Sequence, residues 1–335
     1  MNNSNSNLPA LIVVDWGSSN FRAFLINNEG AILDTVNGDL GVLNIKNGCI
    51  ETVLLGYISP WIADKKLPIM MAGMVGGAIG WQDTGYVNAP CTSADMANNL
   101  QLAKNKSNLD IRIVPGVKYV MENNVCDVMR GEEVQVFGAV LAVEKQSGEL
   151  SNKTLSETMF CLPGTHSKWV EVAKDTQQKT VITSLSTFMT GEMFNLLSKH
   201  SILSDGLDSL DITQTDIPSF IKGVGVSQTQ TSLLSALFSA RTLKLDKQLL
   251  AEHVPSYLSG LLIGAELAGI KTQLNDIKHV YLIGNSSLNT LYCEALKELG
   301  FTSSILSSAT ASTIGMFTLA VKAGFITDKE SQKCH

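Results

Sequence analysis

One pattern, met twice, constrains this chain more than any other feature. Residues 11–14 (Leu-Ile-Val-Val) form an unbroken apolar run that stops at Asp15-Trp16-Gly17-Ser18-Ser19-Asn20 and resumes over residues 21–26. In the second half, residues 159–162 stop at Pro163-Gly164-Thr165-His166 and resume over residues 168–172 and 180–183. A run apolar at every position suits a strand buried on both faces. A short turn of glycine and hydroxyl residues then sends the chain back as a neighbouring strand. The repetition predicts an α/β fold with mixed sheets in two related domains, as expected for a chain of 335 residues.

Further strands are predicted over residues 31–33, 69–72, 111–114, 280–283 and 305–306. Helices are predicted over 49–63, 132–145, 191–199, 231–241, 249–271, 288–299 and 311–322. The expected division is 1–125 and 126–310, with the last helix, about 311–335, returning to the first domain.

The formal net charge of -6, without clustered Lys and Arg, argues against a nucleic-acid partner. Six scattered cysteines with no CxxC pair read as reduced thiols rather than a metal or disulfide framework. The polar start MNNSNSNLPA lacks the cationic and apolar parts of a signal peptide, and the apolar run over 67–81 is too short and Gly-rich to span a bilayer. A cytoplasmic, membrane-free protein is expected, with a small-molecule partner; a homodimer is compatible with the sequence.

The turns carry the chemistry. In the first, Gly17, Ser18, Ser19 and Asn20 offer backbone N–H groups and short hydroxyls to phosphate oxygens, with Arg22 on the outgoing strand. Asp15, ending the incoming strand, is placed to hold Mg²⁺ through water. In the second, Gly164, Thr165, His166 and Ser167 offer the same donors. Two such hairpins facing each other across a cleft would clamp a triphosphate. Gly284, Asn285 and Ser286 follow a predicted strand and open a helix, so backbone can approach a nucleotide there. The segment Gly73-Met74-Val75-Gly76-Gly77-Ala78-Ile79-Gly80-Trp81 reads as a flexible substrate loop or as a structural loop needing positive φ. Asp127-Val128-Met129-Arg130-Gly131-Glu132-Glu133 places a guanidinium and two carboxylates at a helix start. They either complement the helix dipole or include a base for an attacking hydroxyl.

The stretches DWGSSNFRAF, MAGMVGGAIGW, DVMRGEEVQ, CLPGTHSKWV, FMTGEMFNLL, LSGLLIGAEL and GNSSL together resemble the 2-dehydro-3-deoxygalactonokinase family. They cover nearly the whole chain, from Asp15 to about residue 288. The resemblance implies two ribonuclease-H-like domains of the actin-like ATPase and sugar-kinase type closing over Mg·ATP. It further implies transfer of the γ-phosphate to the 6-hydroxyl of 2-dehydro-3-deoxy-D-galactonate, in galactonate degradation. Residues 15–22 would be the first phosphate hairpin, 164–167 the second, and 284–286 the adenosine border. Gly73, Val75, Gly76, Gly77 and Trp81 would frame the sugar acid. Two departures stand out: Gly77 and Ala78 replace polar residues of many relatives, and Leu162 stands where many superfamily members carry an Asp, so no base comes from there.

By position, Glu132 is the expected base, with Glu133 its rival. Arg130 is the expected partner of the substrate carboxylate through a bidentate grip, with Lys168 and Arg241 as alternatives. Two other readings fit part of the pattern: a kinase of another 2-keto-3-deoxy acid, and a non-catalytic actin-like nucleotide-binding protein.

Overall fold

The computed structural model describes residues 8–46, 49–148, 152–205, 214–229, 232–271, 276–284 and 286–326. The chain divides into two compact units, the first of residues 1–152, 170–185 and 307–335, the second of residues 153–169 and 186–306.

The elements begin with β1 (Pro9–Trp16), β2 (Phe21–Asn27), β3 (Ile32–Gly38), α1 (Ile50–Ile62) and β4 (Ile69–Ala72). There follow β5 (Tyr86–Asn88), β6 (Cys91–Thr92), α2 (Ser93–Asn98), β7 (Gln101–Leu102), β8 (Ile111–Ile113), β9 (Gly116–Val120), β10 (Cys126–Met129) and α3 (Glu132–Ser147). Next come α4 (Asn152–Ser156), β11 (Thr158–Leu162), β12 (Ser167–Lys174), β13 (Thr180–Phe188), α5 (Thr190–His200), α6 (Ile217–Thr229), α7 (Leu233–Leu245) and α8 (Val254–Ile270). The last are β14 (His279–Gly284), α9 (Ser286–Glu298), β15 (Thr302–Ser307) and α10 (Ser308–Lys322).

In the first unit the main sheet has the order β3-β2-β1-β4-β8-β7. β1 is antiparallel to β2 and parallel to β4, with Asp15 opposite Arg22 on one side and Ala72 on the other. Its residues 11–14 are fully buried, as the apolar run requires. Ile12, Val14, Trp16, Phe21, Leu54, Ile69, Met71 and Ile111 build the core. A separate sheet, β10-β9-β5, is built of strands of three to five residues, most of them half-buried or exposed. No apolar run betrays it in the sequence.

The first unit extends beyond the boundary expected at residues 125/126, because β10 pairs with β9 and α3 packs on α10. The helix expected from residue 132 starts there, and the rest of segment 127–133 leads into it. That segment is strand to Met129, then a break at Gly131, then α3.

The order β3-β2-β1-β4 has its counterpart in β13-β12-β11-β14, with β11 and β14 parallel. In the second unit Met159, Cys161, Trp169, Phe220, Ile263, Val280 and Leu282 form one core cluster. The α8 segment is buried nearly all round, the pattern of a central helix. The helix expected over 249–271 starts only at Val254, after a short 3-10 turn, with Pro255 in its first turn. Residue 231, the expected start of α7, lies outside the described residues. The α6 helix escaped the sequence reading because IPSFIKGVGVSQT holds Pro, two Gly and two Ser.

Candidate active site

In the first unit, three motifs far apart in sequence meet backbone to backbone. Asp15 and Ala72 end neighbouring parallel strands, and ligand loops of open α/β sheets gather at such carboxyl ends. Gly73 follows with φ 98°, and a Cβ there would lie 2.6 Å from the Trp16 carbonyl oxygen. Gly131, φ 103°, stacks on Gly73: its Cβ would lie 3.0 Å from the Gly73 Cα. Both positions need a left-handed backbone and no side chain, so only glycine lets the three segments close.

Asp15 is the polar centre of this meeting. Its Oδ2 accepts from Arg22 Nη2 at 2.6 Å, Ser312 Oγ at 3.0 Å and Gln135 Nε2 at 3.4 Å. Its Oδ1 takes no donor among the described residues. Arg22 also donates to Ser308 Oγ at 2.9 Å, so the start of α10 braces the hairpin. The turn closes through Gly17 N–H to the Asn20 carbonyl at 3.0 Å, leaving Ser19 and Asn20 exposed. The carbonyls of Gly17 and Ser18 accept from Val42 and Leu43, which fixes the turn from behind.

Since Gln135 touches Asp15, Glu132, one helical turn earlier, lies on the same face of α3. Glu132 is half-buried and its Oε2 accepts from the Arg130 amide at 3.0 Å. Glu133 differs. It is 0% exposed, and both its oxygens accept from the Gly131 amide. Burial, then the neighbouring Glu132 charge, push its carboxyl up to about 8. Burial thus favours the protonated form of Glu133, while Glu132 is the more exposed of the two carboxyls.

The raised Glu133 carboxyl makes a prediction for stability. Between about 4.5 and about 8 the folded chain holds a proton that the unfolded chain has released. This contribution is complete below the unfolded value and is lost as pH rises through 8, by up to about 1.4 kcal/mol per pH unit. Glu133→Gln, uncharged in both states, should flatten the fall in the denaturant midpoint between pH 5.5 and 8.5. An unchanged pH profile would show that Glu133 is ionised in the folded protein.

Arg130 is 9% exposed. Its Nη1 donates to Thr84 Oγ1 at 2.6 Å and its Nη2 to the Gly85 carbonyl at 2.9 Å, and its plane lies over the Tyr86 ring. A Cβ on Gly76 would sit 3.1 Å from Nη1. The guanidinium thus underlies the glycine-rich segment and ties it to the next loop. Residues 73–81 form hydrogen-bonded turns: Gly76 N–H to the Gly73 carbonyl, Gly77 to Met74, Gly80 to Gly77, and Trp81 to Val75. Val75 is buried, and the Trp81 indole donates to the Lys104 carbonyl at 3.1 Å.

The second unit repeats the placement. Leu162 and Gly284 end neighbouring parallel strands, and a Cβ on Gly284 would lie 3.5 Å from the Pro163 carbonyl oxygen. The second turn docks on α5: the Thr165 carbonyl accepts from the Glu192 amide at 2.9 Å, and His166 Nε2 lies 2.5 Å from Glu192 Oε2. A side chain at Gly191 would strike the Gly164 carbonyl. Beside this turn lies a cavity of about 530 Å³, walled by Phe194, Leu288 and Leu291, with Gly164, Thr190 and Lys199 among its lining. Its size suits a drug-sized or nucleoside ligand.

Ser286 opens α9, and Asn285 lies outside the described residues. Asn289, 0% exposed beside Gly284, has both side-chain amide atoms without a hydrogen-bond partner among the described residues. Lys168 is 8% exposed and donates to Thr187 Oγ1 at 2.8 Å, while Arg241 pairs with Asp205 and the Ile202 carbonyl. Ser167 is fully buried and bonds Tyr292, so it supports the turn from beneath.

Sequence reading gave no roles to Gln135, Ser312, Thr190 or Glu266. A lone Glu inside the apolar run LLIGAELAGI was the visible signal for the last, since unpartnered carboxylates are scarcely ever buried.

The fold of two α/β units with mixed sheets is shared with a solved relative. The crystal structure of a candidate 2-dehydro-3-deoxygalactonokinase from Sinorhizobium meliloti aligns with TM-score 0.79 and 32% identity, over 93% of this chain and 98% of that one. A curated relative from Rhizobium meliloti (strain 1021), named "Probable 2-dehydro-3-deoxygalactonokinase", is 34% identical over 86% of this chain and 89% of its own length. The 2-dehydro-3-deoxygalactonokinase of Escherichia coli (strain K12) is 30% identical over 92% and 97%. The chain belongs to the 2-keto-3-deoxy-galactonokinase family, which it matches over residues 15–319. Among the described residues no helix is long and apolar enough to cross a membrane.

Proposed function

We propose that the protein transfers the γ-phosphoryl group of ATP to the 6-hydroxyl of 2-dehydro-3-deoxy-D-galactonate, releasing ADP and the 6-phosphate. The observation that carries this reading is the meeting of Asp15, Gly73 and Gly131 in the first unit, which gathers an acidic strand end, a glycine-rich turn and a half-buried carboxylate. Its support from relatives is the family match over residues 15–319.

Glu132 accepts the proton of the 6-hydroxyl as the new O–P bond forms and the bond between the γ-phosphorus and the β–γ bridging oxygen breaks. Glu132 oriented by the Arg130 amide needs no rotamer search to do so. In the first unit the turn Gly17 to Asn20 with Arg22 offers donors to phosphate oxygens, and in the second unit Gly164, Thr165 and His166 offer the same, with Ser167 beneath them. His166, paired with Glu192, is held at the turn. Gly73, Val75, Gly76, Gly77 and Trp81 frame the sugar acid. Arg130 acts through that frame: its guanidinium is engaged with Thr84 and Gly85, so it shapes the loop instead of gripping the substrate carboxylate. Lys168, buried on Thr187, serves the second turn in the same indirect way.

Mg²⁺ fits at Asp15, where Oδ2 is anchored by three donors and Oδ1 faces none, a hard oxygen suited to a hydrated ion. When bound, the ion supplies charge neutralisation between β- and γ-phosphates. In the second unit, the cavity beside Gly164, walled by Phe194, Leu288 and Leu291, takes the nucleoside.

A coupled ADP-release assay over a panel of 2-keto-3-deoxy acids tests the reading. ADP release should depend on an acid sugar, with the highest kcat/KM for the galactonate epimer. A higher kcat/KM for the gluconate epimer would reassign the substrate. Release independent of any sugar would reject the kinase reading.

A further inference from the structure

We propose that ionised Glu266 presets the polarity of two hydroxyls on the cavity of the second unit: it draws the protons of Thr190 and Tyr292 away from the cavity, so that these two groups offer it acceptors and favour a nucleoside group that donates. The proposal rests on the nucleotide reading of that cavity and deepens it. Glu266 sits on α8, 2% exposed. Trp169 Nε1 donates to its Oε1 at 2.7 Å, while Tyr292 at 2.8 Å and Thr190 both donate to its Oε2. Four elements, β12, α5, α8 and α9, are thereby tied at one carboxylate.

A hydroxyl owns a single proton. Tyr292 spends its own on Glu266, so in its 2.8 Å contact with Ser167 Oγ the serine must be the donor. The direction of every bond in the set is then fixed: Ser167 to Tyr292, Tyr292 to Glu266, Thr190 to Glu266, Trp169 to Glu266. Thr190 and Tyr292 line the cavity, and what remains of their oxygens for a ligand is lone pairs. Burial pushes the Glu266 carboxyl up, and the donors from Thr190, Trp169 and Tyr292 oppose that shift. Glu266 touches no ligand itself. It is a positioning residue that acts through Thr190, the more exposed of the two hydroxyls.

The donors an adenine nucleotide can present here are the ribose 2′-O–H, the ribose 3′-O–H and the purine N6–H. Calorimetric titration with ADP, 2′-deoxy-ADP, 3′-deoxy-ADP and N6,N6-dimethyl-ADP separates them. The native protein should lose about tenfold in affinity for one of the three analogues, the cost of an unmatched acceptor in a recessed site. In Glu266→Gln the amide donates where the carboxylate accepted, one hydroxyl turns outward, and the same analogue should bind within about twofold of ADP. Thr190→Val, which removes the acceptor, should do likewise and keeps the test open if Glu266→Gln does not fold. KM for the sugar acid should stay unchanged in Thr190→Val. Equal affinity of the native protein for all four ligands, persistence of the discrimination in the variants, or no binding of any of them overturns the proposal. ADP binding with this pattern but without sugar-dependent ADP release rejects the kinase reading and leaves the cavity's polarity standing.

Discussion

Glu132→Gln should lower kcat about 10³-fold and leave KM for ATP within about twofold of the native value. The substitution keeps the shape and the acceptor for the Arg130 amide, and removes only the capacity to take a proton. Its neighbour cannot substitute, because Glu133 is sealed from solvent and holds its proton up to about pH 8. A parallel loss in ATP affinity would mean that Glu132 binds nucleotide or metal. Near-native turnover would remove it from the base role. Stopped assays of ADP release, with ATP varied at saturating sugar acid, give both constants.

The second large effect belongs to Gly73→Ala. A methyl group there meets the Trp16 carbonyl at 2.6 Å, and the φ of 98° disfavours any side chain. Strain and overpacking each cost about 1–3 kcal/mol, and here they add. The variant should unfold at a clearly lower urea midpoint and should lose turnover at least about tenfold, since Asp15 and Gly131 can no longer approach. Gly300→Ala is the control: its φ is 85° but nothing lies within 4 Å of the added methyl. Equal destabilisation by the two substitutions would show that backbone strain alone, and not the crossing of three motifs, gives Gly73 its importance.

Much of this architecture could be read before any coordinates. The apolar runs at 11–14 and 159–162 are buried central strands because continuous apolarity leaves no solvent face. The first of them ends at a turn flanked by Asp15, and that too was visible as composition. The Gly-rich segment was identified as special, yet its order was not: turns stabilised by backbone bonds among Gly73, Met74, Val75 and Gly77 leave no trace in side-chain pattern. Arg130 shows the limit best. A lone guanidinium between acidic residues suggests anion binding, and only three dimensions reveal Thr84 and Gly85, distant in sequence, using its donors. The β10-β9-β5 sheet was invisible because strands of three to five residues, mostly half-buried or exposed, are too short to show a period. Glu266 was in plain view, but a buried carboxylate declares its partners only when Trp169, Thr190 and Tyr292 have been brought to it.

The bracing of Asp15 and Arg22 by Ser312 and Ser308 has a consequence for biosynthesis. These partners are separated by 297 and 286 positions. A ribosome must therefore translate nearly the whole message before the first turn acquires its supports. A nascent or prematurely terminated chain ending ahead of Ser308 would carry the acidic strand end without its clamp.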